Sequence, residues 1–312
     1  MSIKQIWTEK YRPRTVNDYV FVDEHVRQQV EHWIKTGSIP HLLFHGSAGT
    51  GKTTLAKLLV NELDIDPIDV MFANGSKEGR KIEWVDRLIN FCQTMPMNIG
   101  GFKVVIIDEA DYLNNVSVQP AMRNLMEEYA DSVRFILTCN YPNRIIPPLK
   151  SRCQEIQISK TDKEQFALRT ITILTNEGVE FDAEDLMSYI DATYPDLRKC
   201  LNLLQANSIT GSLKNPKSED STTEDYKLSA VALFREKRIR EARTLICSQI
   251  RPDEIDDFYR WAYDNLDLWS KTDEGQDEAI VAIRDGIVAH NFCLDPEINL
   301  SATLIQLTSI GK

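Results

Sequence analysis

The stretch His41-Leu-Leu-Phe-His-Gly-Ser-Ala-Gly-Thr-Gly-Lys-Thr-Thr54 constrains this chain more than any other, because an apolar run breaks there into a glycine-rich loop and then a helix. Gly46 to Thr53 satisfies G-x-x-x-x-G-K-[ST], the spacing in which successive backbone N–H groups wrap phosphate oxygens, the lysine reaches the outer phosphates and the hydroxyl ligates Mg²⁺. Glycines let the backbone turn and approach phosphate closely, and the N-terminus of the following helix favours an anion. The order strand, cradle, helix predicts a nucleoside triphosphate site, with Gly46, Ser47, Ala48, Gly49, Thr50, Gly51, Lys52, Thr53 and Thr54 as its phosphate-binding residues.

The rest of the first half supports a sheet around that loop. Leu55, Leu58, Leu59 and Leu63 recur at helical spacing, so a helix runs from Lys52 to about Leu63. Val70-Met-Phe-Ala73, Lys103-Val-Val-Ile-Ile107, Arg134-Phe-Ile-Leu-Thr-Cys-Asn140 and Glu155-Ile-Gln-Ile158 read as further strands, with helices between them. Runs of consecutive apolar residues that end in polar ones suit buried parallel strands whose carboxyl ends meet a ligand. A doubly wound parallel α/β domain is therefore expected over residues 1–160. Beyond it the pattern turns helical: 166–176, 182–192 and 196–206 form a small domain over 161–210. Residues 207–226 read as a loop or linker, and 227–312 as a second helical domain. There, Ile239, Ala242, Leu245, Ile246 and Ile250 form one stripe, and Ile255, Phe258, Tyr259, Ala262, Leu266 and Trp269 another.

Composition bounds the partners. The chain of 312 residues carries a net charge of −11, which by itself disfavours contact with nucleic acid. Yet between Asp253 and Glu278 ten acids face only Arg260 and Lys271, a local balance of −8, so the remainder carries about −3 and leaves room for a basic patch. The six cysteines are scattered without a C-x-x-C pair, as expected of reduced, mostly buried thiols. With no run of about 18 apolar residues, and no apolar core behind Met1 to suggest a signal peptide, a cytoplasmic protein without membrane contact is expected.

Asp108 and Glu109 close the third strand and should face the phosphate loop. An Asp near Mg²⁺ and a Glu able to take a proton from water are the parts that ATP hydrolysis needs. Asn140 ends the next strand, where its amide can orient water, or where it is simply a turn residue. Arg152, in Ser151-Arg-Cys153, is either a solvated surface cation or a finger inserted into a neighbouring subunit's site; Arg198 begins a helix of the second domain.

Read together, Glu9-Lys-Tyr-Arg-Pro13, the phosphate loop, Asp108-Glu-Ala-Asp111, Thr138-Cys-Asn-Tyr141, Ser151-Arg-Cys153 and Asp196-Leu-Arg-Lys199 resemble the ordered motifs of sliding-clamp loader ATPases of the AAA+ class, over roughly residues 7–206. The final helices look closer to the large clamp-loader subunit of T-even-like bacteriophages than to replication factor C small subunits. The loop has Gly46-Ser-Ala-Gly49 where cellular members usually carry Gly-Pro-Pro-Gly, with every phosphate-binding group kept. Val20-Phe-Val-Asp23 lacks the family's usual Val-Gly-Gln.

This resemblance implies roles. Lys52 and Thr53 bind phosphates and Mg²⁺, Asp108 belongs to the Mg²⁺ shell, Glu109 serves the catalytic water and Asn140 senses the γ-phosphate. Arg152 acts in trans, and Arg198 is a second sensor from the lid. Glu9, Lys10, Tyr11, Arg12 and Val20 wall the adenine. Asn74-Gly-Ser76 opens a helix that follows DNA phosphate, with Ser76, Lys77, Arg80 and Lys81 as contacts. The implied function is ATP-dependent loading of a sliding clamp onto primer–template DNA, as the hydrolysing subunit of a hetero-oligomer held together by a helical collar at 227–312. A catalytically silent structural subunit of the same ring is one rival. An AAA+ protein remodeller is another, although residues 75–81 offer no aromatic for a pore loop.

Overall fold

The computed structural model describes residues 6–78, 83–97, 101–215, 226–236, 238–251, 254–290 and 292–310, which form two compact units. Residues 12–162 make one. The segment ending at Tyr11 and the chain from Lys163 onward make the other.

In the first unit five parallel strands, β1 (Leu42–His45), β2 (Val70–Asn74), β3 (Lys103–Asp108), β4 (Val133–Cys139) and β5 (Gln154–Gln157), lie in the order β2-β3-β4-β1-β5. Alternation along each strand sends side chains to opposite faces, and both faces are covered. Leu43, Val105, Ile107, Phe135 and Leu137 pack against Trp84, Val85 and Leu88 of helix Glu83–Gln93 and Met122, Leu125 and Met126 of helix Val118–Glu128. Leu42, Phe44, Val104, Ile106 and Ile136 pack against Val30 and Trp33 of helix Glu24–Thr36 and Leu55 and Leu59 of helix Lys52–Glu62. This doubly wound arrangement is the α/β architecture that the alternating strands and helices predict. Because β1 lies between β4 and β5, its carboxyl end opens where the strand order reverses, the usual place for a ligand in such sheets.

The second unit is helical. Lys163–Asn176, Ala183–Thr193, Leu197–Ala206, Tyr226–Arg235, Ile239–Gln249, Ile255–Asp264, Asp273–His290 and Pro296–Ser309 contribute to one apolar cluster, from Phe166 and Tyr189 to Trp261 and Leu307. Buried Asp191 joins three of them, pairing with Lys163 at 2.8 Å and Arg235 at 2.6 Å. Among the described residues no helix is long and apolar enough to cross a membrane.

One expected helical stripe breaks. The periodicity from Ile255 to Trp269 predicts a single helix, but the α-helix ends at Asp264 and a 3₁₀ turn covers Leu266–Leu268. The cause is Asn265: its side-chain amide, fully buried, donates to the carbonyls of Trp261 (3.0 Å) and Tyr194 (3.4 Å), and so competes with continuation of the helix.

Candidate nucleotide site

The phosphate loop leaves β1 at His45 and enters helix Lys52–Glu62 at Gly51, which holds φ +90°. A side chain on Gly46 would place Cβ 2.2 Å from the Ile158 carbonyl oxygen, so only glycine lets the loop start where it does. Lys52, only 7% exposed, folds across the loop and donates to the carbonyls of Gly46 (2.9 Å) and Ser47 (2.7 Å). Burial holds its ammonium below the usual lysine range, with Cys139, Asp108 and Asp111 pulling the other way. Phosphate oxygens could replace the two carbonyls without moving the lysine far.

Beside it, Asp108 at the end of β3 accepts from two hydroxyls, Thr53 Oγ1 at 2.6 Å and Thr138 Oγ1 at 2.5 Å. Thr138 in turn accepts from the Glu109 backbone N–H at 3.3 Å. Three elements, the helix after the loop, β3 and β4, are thereby locked at one carboxylate. Glu109 itself sits at φ +55°, a left-handed conformation that costs a non-glycine residue about 1–3 kcal/mol. Its carbonyl lies over Gly75, where an added Cβ would meet it at 2.4 Å, so the small residue after β2 makes room for the turn at Glu109. Such strain held by surrounding contacts is the pattern of a functional position.

Asn140 is held through its own backbone: the carboxylate of buried Asp111 accepts from the N–H groups of Asn140 (3.2 Å) and Tyr141 (3.1 Å). Buried Gln119 pins the next loop, donating to the Leu113 and Arg144 carbonyls and accepting from Ile146 N–H at 2.8 Å. Arg152 is paired with Glu127 of helix Val118–Glu128 and donates to the Pro148 carbonyl. Val20 lines a shallow groove with Phe21, Val26, Ile158 and Ser159, and Ile158 is the residue against which Gly46 packs.

The remaining expected site residues are divided. Arg12 belongs to the sheet unit, whereas Glu9, Lys10 and Tyr11 belong to the helical unit. There Lys10 (2.6 Å) and the Tyr11 hydroxyl (2.7 Å) both reach Glu177, and Arg169 donates to the Tyr11 carbonyl. Arg198 lies in the helical unit too, in the first turn of Leu197–Ala206, capped by Asp196. Ser76 donates to Asn74 Oδ1 at 2.6 Å in the short helix Gly75–Glu78, which also carries Lys77. Arg80 and Lys81 lie outside the described residues. Sequence reasoning missed four supporting groups: Thr138, Asp111, Gln119 and Glu127. Only Thr138 and Asp111 had a signal, as polar residues inside the motifs that close β4 and β3.

The donor set suits Mg²⁺, which takes one or two protein oxygens and completes its shell with water and phosphate: Thr53 Oγ1 and the Asp108 carboxylate stand together beside the loop. Among the described residues no group of three or more His, Cys, Asp or Glu side chains forms an all-protein metal cage.

These features define a nucleotide-binding P-loop ATPase, and residues 42–161 match the model of the ATPase family associated with various cellular activities. The chain is 33% identical to replication factor C small subunit 1 of Pyrobaculum islandicum over 315 aligned positions, 98% of this chain and 95% of that one. It is 36% identical to the replication factor C small subunit of Picrophilus torridus over 248, 77% of each chain. A Thermotoga maritima RuvB mutant shares the fold at TM-score 0.54 and 15% identity, over 79% of this chain and 88% of that one. The chain belongs to the replication factor C small subunit family.

Proposed function

We propose that this chain is the ATP-hydrolysing subunit of a multi-subunit clamp loader, which closes a sliding clamp around primer–template DNA. Domains 1–160 and 161–210 would act on nucleotide, and 227–312 would form the collar that joins subunits, its acidic stretch kept away from DNA phosphates. Lys52 neutralises phosphate oxygens, while Thr53 and Asp108 would hold Mg²⁺, which would draw charge from the phosphates. Glu109 takes the proton of the attacking water and Asn140 orients that water. Arg152 enters the neighbour's site, and Arg198 reads nucleotide from the lid. Val20 and Arg12, with Glu9, Lys10 and Tyr11, flank the adenine. Ser76, Lys77, Arg80 and Lys81 meet the DNA backbone, as suits loading at any sequence.

The observation that carries this reading is the contrast between the phosphate loop, beside which Thr53 and Thr138 gather on Asp108, and Arg152, which among the described residues is held within its own protomer by Glu127 and the Pro148 carbonyl. ATP turnover of the assembled loader, measured with and without primed DNA and clamp, tests it. Stimulation by both, lost in Glu109→Gln, is expected. Turnover indifferent to DNA and clamp, or unchanged by Glu109→Gln, would overturn it.

A further inference from the structure

The loop between Gly46 and Gly51 contains no proline, so no residue in it has a covalently fixed φ. A side chain from outside the loop takes up that task. The Tyr19 hydroxyl donates to the Thr50 carbonyl at 3.2 Å, and its ring stands 3.0 Å from where a Gly51 Cβ would lie. The ring is itself held edge-on by Phe21, with centroids 4.8 Å apart, and burial pushes the phenol's pKa upward, so the hydroxyl stays protonated and able to donate. Tyr19 also lines the groove that holds Val20. It therefore touches the groove with one edge and the phosphate loop with its hydroxyl.

The Thr50–Gly51 peptide is planar, so its C=O and N–H point in opposite directions. Fixing the carbonyl on Tyr19 fixes the N–H on the far side. We propose that Tyr19 is a positioning residue for phosphate binding: by holding the Thr50 carbonyl it aims the Gly51 N–H at the nucleotide's phosphates before the nucleotide arrives. Lys52 and the Thr50 hydroxyl already tie the first half of the loop through the Gly46 and Ser47 carbonyls; Tyr19 does the same for the Thr50–Gly51 peptide, and donors already in place need no ordering on binding.

The inference rests on reading Gly46–Thr53 as the phosphate cradle, and the test separates the two. Dissociation constants of ADP and of adenosine are measured for the full chain and for Tyr19→Phe, which keeps the ring and removes only the hydroxyl, with Lys52→Ala as the control. Loss of one hydrogen bond corresponds to about a two- to tenfold weakening. The expected result is that loss for ADP in Tyr19→Phe, adenosine unchanged, and a larger loss for ADP in Lys52→Ala. ADP affinity unchanged in Tyr19→Phe, with Lys52→Ala still impaired, would overturn the brace alone. Equal losses for ADP and adenosine would overturn it too, by showing that Tyr19 serves only the groove. If Lys52→Ala also bound ADP normally, the cradle reading itself would fail.

Discussion

The two ends of the sheet use the same kinds of residue for opposite purposes. At the amino ends of the strands His41 and Arg134 are committed to the backbone: Phe135 N–H donates to His41 Nδ1 at 3.1 Å, and Arg134 Nε donates to the Ile39 carbonyl at 2.8 Å. Lys103, at the start of β3, donates to the Phe91 carbonyl at 3.1 Å. These groups tie the strands to neighbouring segments and lie away from the phosphate loop. At the carboxyl ends Lys52 rests on loop carbonyls beside the cradle and Asp108 gathers two hydroxyls there, whereas Arg152, two residues before β5, stands at the amino end and is paired with Glu127. The lesson is that charge and burial alone do not mark a site in this fold. What distinguishes the carboxyl end is convergence: Lys52, Thr53, Asp108 and Thr138 come together beside a loop of backbone N–H groups.

Changes at the two ends should accordingly separate activity from stability. The largest effect is expected from Glu109→Gln, which removes the proposed proton acceptor: turnover should fall by about 10²–10⁴-fold, while nucleotide affinity and melting temperature stay close to those of the unaltered chain. A large loss of affinity would instead make Glu109 a binding group.

At the amino end the expected effect lies in stability. Burial first, then the charge of Arg134, lowers the His41 pKa from 6.5 to about 4. Between those values the unfolded chain binds the extra proton and the folded chain does not, so stability falls as pH drops from 6.5 to 4 and levels off below. The loss should be about 2–3 kcal/mol after some solvent screening. Denaturant melts across this window, with His41→Gln flattening the slope, check the sign. A pH slope in turnover that followed His41 would erase the distinction between the ends.

Thr138→Val removes the hydroxyl that joins Asp108 to the Glu109 backbone, at a cost of about 1–3 kcal/mol. Steady-state kinetics should show this mainly in kcat, since the phosphate loop keeps its own contacts. The smallest effect is expected at Glu127→Gln. A partly exposed ion pair contributes about 0.2–1 kcal/mol, so freeing Arg152 should raise turnover of the assembled loader by less than about fivefold. A drop of tenfold or more would mean that Glu127 aims the finger during catalysis and does more than hold it between cycles.

Much of this was legible in the sequence because local patterns carried it. The five apolar runs became the five strands, and the loop from Gly46 to Thr53 sits where a strand–loop–helix pattern demands. Groups that act through tertiary contact left little trace. Thr138 is marked in the sequence only as a polar residue within Phe-Ile-Leu-Thr-Cys, where a β-branched residue suits a strand anyway, and it takes the neighbouring β3 to reveal the hydroxyl's partner. Glu127 sits 25 positions from Arg152, on a helix whose exposed acids look interchangeable. Asn265 falls within an unbroken apolar periodicity, and its effect on the helix depends on the distant Tyr194 carbonyl.

The most direct test of the shared site is complementation between two inactive subunits. Glu109→Gln keeps the phosphate loop and an intact Arg152, but lacks the proposed proton acceptor; Arg152→Ala keeps that acceptor and lacks the proposed finger. Turnover by assembled loaders containing an equal mixture should recover to about a quarter of the wild-type rate, because one neighbour pair in four joins the intact halves of a site that needs both. A mixture no more active than either variant alone, with assembly intact, would show that Arg152 serves its own protomer and would contradict a site divided between subunits.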